Sequence, residues 1–417
     1  MAYDFGAALP PLAEGRSYNS VLRELSYPDT WSPPTGGPAS GLDMHAIQSI
    51  WTSAQGWDEI ARNDRADLVL AFGGSGTVQG GQGWQDLRRR HPRAILLGCT
   101  TGGEIHGCDV LDETLSATAI SFDDTRLAAA EADVAAGSFE AGRSLGHALA
   151  RPGLKAIFVL SDGTRTNGSD LVRGLRDAVG PDIVLTGGLA GDGPNFGTTY
   201  VGLNAQPTPG KAAAIGFYGD KLQVGHGSAG GWDVFGPERR ITRAKANVLY
   251  ELDGKPALDL YKRYLGPDAD QLPGSALLFP LRIYPAEKPG QAIVRTIVGV
   301  DETARTMTFA GDMPEGHCAQ LMRGNFDRLI QGAAAAAEQA RETVAGERVA
   351  ILVSCIGRKL LLGQRIREEV EAVQDVLGTG THLTGFYSYG EVSPHETTGS
   401  AELHNQTMTI TTISEAA

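Results

Sequence analysis

At 417 residues, 41% of them hydrophobic and 20% charged, the chain carries enough apolar material for two folded domains or one large α/β body, which excludes an intrinsically disordered protein. A formal net charge of −13 with a pI near 5.2 offers no clustered cationic face, so neither nucleic acid nor an anionic membrane is expected as a partner. No apolar run approaches the roughly 18 residues of a spanning helix, and the opening MAYDFGAALPPLAEG has no basic segment followed by an apolar one, so a cytoplasmic location is expected.

Residues 1 to about 40 hold Pro10, Pro11, Pro28, Pro33, Pro34 and Pro38 and read as an extended arm without a core of its own. From Leu42 to about Asp64 the spacing of Met44, Ile47, Ile50, Trp51 and Trp57 predicts an amphipathic helix. Strand-length apolar runs follow at Leu68 to Phe72, Ala94 to Leu97, Ala117 to Phe122, Ala156 to Leu160, Ile183 to Leu185 and Ala212 to Tyr218. Helix-length polar segments separate them at Gln82 to His91, Phe139 to Leu149 and Asp170 to Val179, an alternation that predicts an α/β layer structure.

After Thr242 the character changes. ANVLYELDGKPALDLYKRYLG reads as a strand, an Asp253-Gly254 turn and a helix from Pro256. Strands are expected at Ala276 to Phe279, Ala292 to Val300, Thr306 to Phe309 and Val349 to Ser354, with helices from about Gly316 to Val344 and Gln364 to Leu377. HNQTMTITTI closes the chain as an alternating strand. The organisation expected is an arm and helix over 1–66, an α/β module over 67–243 and a second sheet-containing module over 244–417, built on an internally repeated strand–helix–strand unit.

The repeat rests on one phrase. GCTTGGEI at Gly98 to Ile105 and GFYSYGEV at Gly385 to Val392 share the frame G-x-x-[ST]-x-G-E-[IV] and the same order of flanking elements. TGGLAGD at Thr186 to Asp192 is a weaker echo, and a chance likeness of glycine-rich turns is as good a reading of it.

Loops at the carboxyl ends of strands are where open α/β sheets collect ligands. The first phrase sets Cys99, Thr100, Thr101 and Glu104 in such a loop, the last sets Tyr387, Ser388 and Glu391 there, and the middle one sets Asp192 among glycines. In SCIGRKLLLGQR, Arg358 and Arg365 stand where a strand gives way to a helix and could take a ligand carboxylate or pair with Glu368 or Glu369. Structural turns and caps are an equally ordinary use of all these residues. GHGSAGG at Gly225 to Gly231 fits G-x-G-x-x-G, but no helix follows to hold a pyrophosphate, so a dinucleotide site is rejected. There is no G-x-S-x-G, Walker A or H-E-x-x-H sequence. The four cysteines form no C-x-x-C pair and read as free thiols, with Cys99 or Cys355 the nucleophile if the chain is an enzyme. No histidines stand at metal-site spacing, although one axial ligand suffices for haem. His226, between two glycines and near Trp232 and Phe235, is the first choice for it, ahead of His404 and His317.

ADLVLAF, AILLGCTTGGEI, IFVLSDG, VLTGGLAGDG and GFYGDKLQVGHGSAGGW together resemble the N-terminal module of the FIST family of bacterial sensory proteins. YELDGKPALDLYKRYLG, TFAGDMPEGHCAQLMRGN, SCIGRKLLLGQR and GFYSYGEVSP with LHNQTMTIT resemble its C-terminal module, and the likeness runs from about Asp67 to Ser414. The resemblance implies a ligand sensor of bacterial signal transduction rather than an enzyme. It implies haem b and nitric oxide, or a small carboxylate or amino acid, as ligand, and a histidine kinase or cyclic-di-GMP enzyme regulated in trans. No motif of the resemblance assigns the haem ligand.

Overall fold

The computed structural model describes residues 44–58, 65–272, 274–341 and 347–416; the expected arm over 1 to about 40 lies outside the described residues. Among the described residues no helix is long and apolar enough to cross a membrane.

The strand-length runs of the first half all form strands, and their ends set the architecture. Leu68–Gly73 runs parallel to Ile95–Thr100 and antiparallel to Leu115–Ser121. The expected helix before them is instead a strand, His45–Thr52, paired with Leu115–Ser121. The β-branched and aromatic Ile47, Ile50 and Trp51 suit a pleated surface, and an available edge overrides the 3.6-residue spacing.

The same quartet occurs three times. In the second unit Leu154–Ser161 takes the place of Leu68–Gly73, flanked by Val184–Leu189, Lys211–Tyr218 and Arg126–Asp133. In the third Arg348–Cys355 is flanked by Thr381–Ser388, Met408–Glu415 and Leu222–Ala229. Each quartet then accepts a strand from another unit. Glu104–His106 of the first unit pairs with Thr381–Ser388 of the third. Gly390–Pro394 of the third pairs with Val184–Leu189 of the second. Val201–Leu203 of the second pairs with Ile95–Thr100 of the first. The exchange is cyclic, and three six-stranded sheets stand in a pseudo-threefold arrangement.

One glycine per unit makes this register available. Gly98, Gly187 and Gly385 lie opposite Ala71, Val159 and Leu352, and a Cβ on them would stand 1.8, 1.9 and 1.9 Å from those residues' carbonyl oxygens. The middle echo is therefore a true third copy. Side chains from all three units, among them Phe72, Phe158, Leu160, Val353 and Phe386, share one buried cluster, and the rings of Phe72 and Phe386 stack at 4.8 Å. Each such aromatic contributes roughly 1.5–3 kcal/mol by leaving water.

A nine-stranded sheet from Trp232–Val234 to His317–Gly324 is inserted in the third unit, ahead of the helix Phe326–Ala340. The boundary expected at 243/244 falls inside its strand Arg239–Lys245, and two of the six-stranded sheets take strands from both sides of that boundary. The helix expected from about Gly316 begins only at Phe326, where the Asn325 side chain caps the amide of Arg328. Residues 317–324 are a strand instead. The strand expected at Ala276 to Phe279 is a 3₁₀ turn, Gly274–Leu278. The Asp253-Gly254 turn holds, with both residues at positive φ, 50° and 71°.

Candidate functional site

The three copies of the phrase meet around the pseudo-threefold. The amide of Gly102 donates to the Tyr387 carbonyl at 2.7 Å, that of Gly191 to Thr100 at 3.0 Å and that of Tyr389 to Leu189 at 3.1 Å. Each bond runs from one unit to the next, so the phrases form a closed ring.

The glutamates of the two outer copies do the same structural job with the same partners. Glu104 accepts the Thr101 hydroxyl on Oε1, and on Oε2 the Thr114 amide at 3.0 Å and its hydroxyl at 2.8 Å. Glu391 accepts the Ser388 hydroxyl at 2.7 Å, the Thr407 amide at 3.2 Å and its hydroxyl at 2.9 Å. Each carboxyl thus ties the phrase to the start of its unit's closing strand. Both are fully buried. Burial pushes Glu104 up to about 7, with its hydrogen bonds pulling the other way, and pushes Glu391 up to about 8 against the same opposition. The second unit has Gly193 where the others have glutamate; there Asp162 supplies the carboxylate, accepting Thr199 Oγ1 at 2.6 Å and the Gly210 amide at 2.7 Å.

Asp192 faces a cleft of about 320 Å³ whose walls also include Thr101, Glu104, Glu113, Asn195 and Lys359. The cleft lies where the first unit's phrase, the second unit's loop and the third unit's helix Ile356–Leu362 converge. Asp192 is held by the Gly197 amide at 2.8 Å and by the Tyr389 hydroxyl, and Tyr389 stacks on Phe196 at 4.4 Å. Lys359 donates to the Gly102 carbonyl at 2.8 Å and to Asp112, with its ammonium 5.7 Å from the Tyr387 ring centre. Gly103, at φ 148°, makes this possible, because a Cβ there would stand 2.4 Å from Lys359 Nζ. Once Lys359 is paired with Asp112, the carboxyls of Glu104, Glu113 and Asp192 have no cation among the cleft's lining residues.

Three of the residues singled out in the sequence, Thr101, Glu104 and Asp192, thus share the cleft wall. Others serve packing. Cys99 lies in the core, and Thr100 accepts the Tyr200 amide at 3.0 Å. Tyr387, Ser388 and Glu391 are buried and do not line the cleft. Arg358 is fully buried and donates to Glu369, Gly230 and Leu329, and Arg365 pairs with Glu368 and Asp327 on the surface. Neither arginine lines the cleft. The cation that does is Lys359, one residue on; on a helix that step turns a side chain by about 100°, from the interior to the cleft. Lys359 and Glu113 were missed because nothing in their neighbours marks them. Burial pushes the thiols of Cys99 and Cys355 up, which leaves neither as a ready nucleophile.

His226 is not among the residues that line the cleft. Its strand, Leu222–Ala229, is paired along one edge with Met408–Glu415, and Gly227 is flush with the helix behind it: a Cβ there would stand 2.0 Å from the Ala336 carbonyl oxygen. The flanking glycine thus seats a helix on its own face of the strand, the face opposite to the His226 side chain. Trp232, offered as a neighbour of that ligand, donates its indole N–H to the Gln406 carbonyl at 2.8 Å. His404 is buried with Nε2 on the Ser393 carbonyl at 3.0 Å, and burial holds its pKa down to about 4. Among the described residues no group of three or more His, Cys, Asp or Glu is placed to hold a metal ion.

Comparison with known proteins agrees with this architecture. Residues 67–255 match the FIST N domain and residues 257–394 the FIST C domain. An uncharacterized protein of Methanocaldococcus jannaschii is 23% identical over 340 residues, a span that covers 74% of this chain and 62% of that relative. The chain belongs to the FIST family, whose domains are sensors of small ligands in signal transduction.

Proposed function

We propose that this chain is a ligand-sensing module whose site is the cleft between the three units. The ligand is a small polar molecule bearing an ammonium group, an amino acid or simple amine, and occupancy alters the chain's hold on a separate signalling protein such as a histidine kinase or a cyclic-di-GMP enzyme. One observation carries this reading: the cleft gathers Glu104, Glu113 and Asp192, while its one ammonium, Lys359, is already bonded to Asp112 and a carbonyl. Carboxyls gathered without a cation of their own favour a cationic ligand. A ligand carboxylate, where present, has Lys359 as its partner in place of the arginines expected from the sequence. Haem with nitric oxide is not part of this reading, because His226 does not line the cleft, and thiol catalysis is not, because Cys99 and Cys355 are buried.

The test is a thermal-shift screen of the full chain with amino acids, simple amines, neutral polyols and dicarboxylates. A ligand at a hundredfold its Kd stabilises the native state by about 2.7 kcal/mol, so ammonium compounds raise the melting temperature and Asp192→Asn removes the rise. A screen in which only polyols or dicarboxylates stabilise the chain rejects the ligand class.

A further inference from the structure

The phrase is used twice with the same donor set, yet only one of the two glutamates borders the cleft. Glu104 and Glu391 each take a hydroxyl three residues back and the amide and hydroxyl of a threonine that opens a closing strand. Glu104 lies in the cleft wall. Glu391 faces Ser388, Thr407 and the interior. The molecule thus contains a buried carboxyl that borders the cleft and a matched buried one that does not.

We propose that ligand binding in the cleft is proton-linked through Glu104: seating an ammonium group there drives the proton off the Glu104 carboxyl into solvent, while Glu391 keeps its own. The inference rests on the ammonium reading of the cleft. Three sets of charges face Glu104 from the elements around it: Asp112 and Glu113 on the approach to Leu115–Ser121, Asp192 on the loop after Val184–Leu189, and Lys359 from Ile356–Leu362. Three of these four are carboxylates, and the fourth is spent on Asp112, so in the empty cleft nothing stabilises an ionised Glu104 beyond its own hydrogen bonds. Burial accordingly keeps it a weak acid, at about 7. An arriving cation reverses the local balance and lowers that value. The proton moves from a Glu104 carboxyl oxygen to water; the ligand keeps its ammonium protons and no covalent bond changes.

The sign follows from linkage. Above its free-state value Glu104 is already ionised and binding releases nothing; below it, part of the binding energy goes into deprotonation, so affinity falls as pH falls. A pKa near 7 lowered by one to two units on binding makes affinity rise about fivefold to tenfold between pH 6 and pH 8. Calorimetry of the full chain with 1,4-diaminobutane, in buffers of different ionisation heat, measures the proton directly. The expected result is release of about half to three-quarters of a proton near pH 6.5, its loss in Glu104→Gln, and its retention in Glu391→Gln. Carbon-13 titration of the glutamate carboxyls of the free chain, repeated with the diamine, gives a second readout: one group moving to lower pH and its twin unmoved. Binding without proton release, or release unchanged in Glu104→Gln, overturns this inference and leaves the functional reading standing. No binding of the diamine at any pH overturns both.

Discussion

Replacing Glu391 with glutamine tests whether the buried carboxyls are neutral structural ties. Glutamine has the same shape, its Oε1 can accept the Thr407 amide and hydroxyl, and its Nε2 can donate to the Ser388 hydroxyl, so the contacts seen around Glu391 are kept. The carboxyl it replaces is fully buried and pushed from an ordinary 4.5 to about 8. Between these two values the native chain holds a proton that the unfolded chain has lost, so stability declines as pH rises through this window and is level outside it. At about 1.36 kcal/mol per pH unit, the full interval amounts to on the order of 5 kcal/mol. Glu391→Gln is therefore predicted to match the wild type near pH 4.5 and to exceed it by a few kcal/mol at pH 8.5. Urea denaturation across that range, followed by circular dichroism, reads the difference. A variant offset from the wild type by a constant amount at every pH would refute the reasoning, since it would mean that Glu391 is ionised in the native chain throughout.

Arg358→Met leaves Glu369 buried without its cation and should cost about 3–5 kcal/mol, whereas Arg365→Ala on the surface should cost far less; urea midpoints in the reverse order would remove the assignment of Arg358 to the interior. Gly187→Ala places a Cβ 1.9 Å from the Val159 carbonyl and should cost at least the roughly 1–3 kcal/mol of an overpacked core; a variant as heat-stable as the parent would contradict the third copy's register. In a thiol-reagent assay the half-buried Cys108 should react in the native chain, while the buried Cys99 and Cys355 should react only after denaturation. Rapid native labelling of either buried thiol would reopen nucleophilic chemistry there. Lys359→Met should free Asp112 and remove the ammonium over Tyr387, weakening stabilisation by amino acids more than by simple amines in the same thermal-shift screen; an equal loss for both would mean that Lys359 does not meet a ligand carboxylate.

What was legible in the sequence was what neighbouring residues decide together. Apolar runs such as Leu68 to Phe72 and Ala156 to Leu160 had to be buried strands, and a repeated glycine and glutamate had to serve a repeated local geometry. Asp253-Gly254 was readable as a turn because both residues tolerate positive φ. The family likeness, carried by the same phrases, is upheld over 67–394.

Other features depended on which remote surfaces meet. Residues 45–52 form a strand because an edge at Leu115–Ser121 awaits them, and their spacing alone suits a helix. Arg358 and Lys359 are adjacent, yet one is sealed against Glu369 and the other reaches a loop of a different unit. Asp192 borders the cleft at the position that is Gly103 or Gly390 in the other copies, and the carboxylate tie of its unit comes from Asp162, thirty residues earlier. The amino-acid order determined the elements and the repeated corner, since backbone preference and side-chain period act over a few residues. Tertiary structure alone decided the cyclic strand exchange, and with it the site, because pairing between distant segments is chosen by the burial it completes.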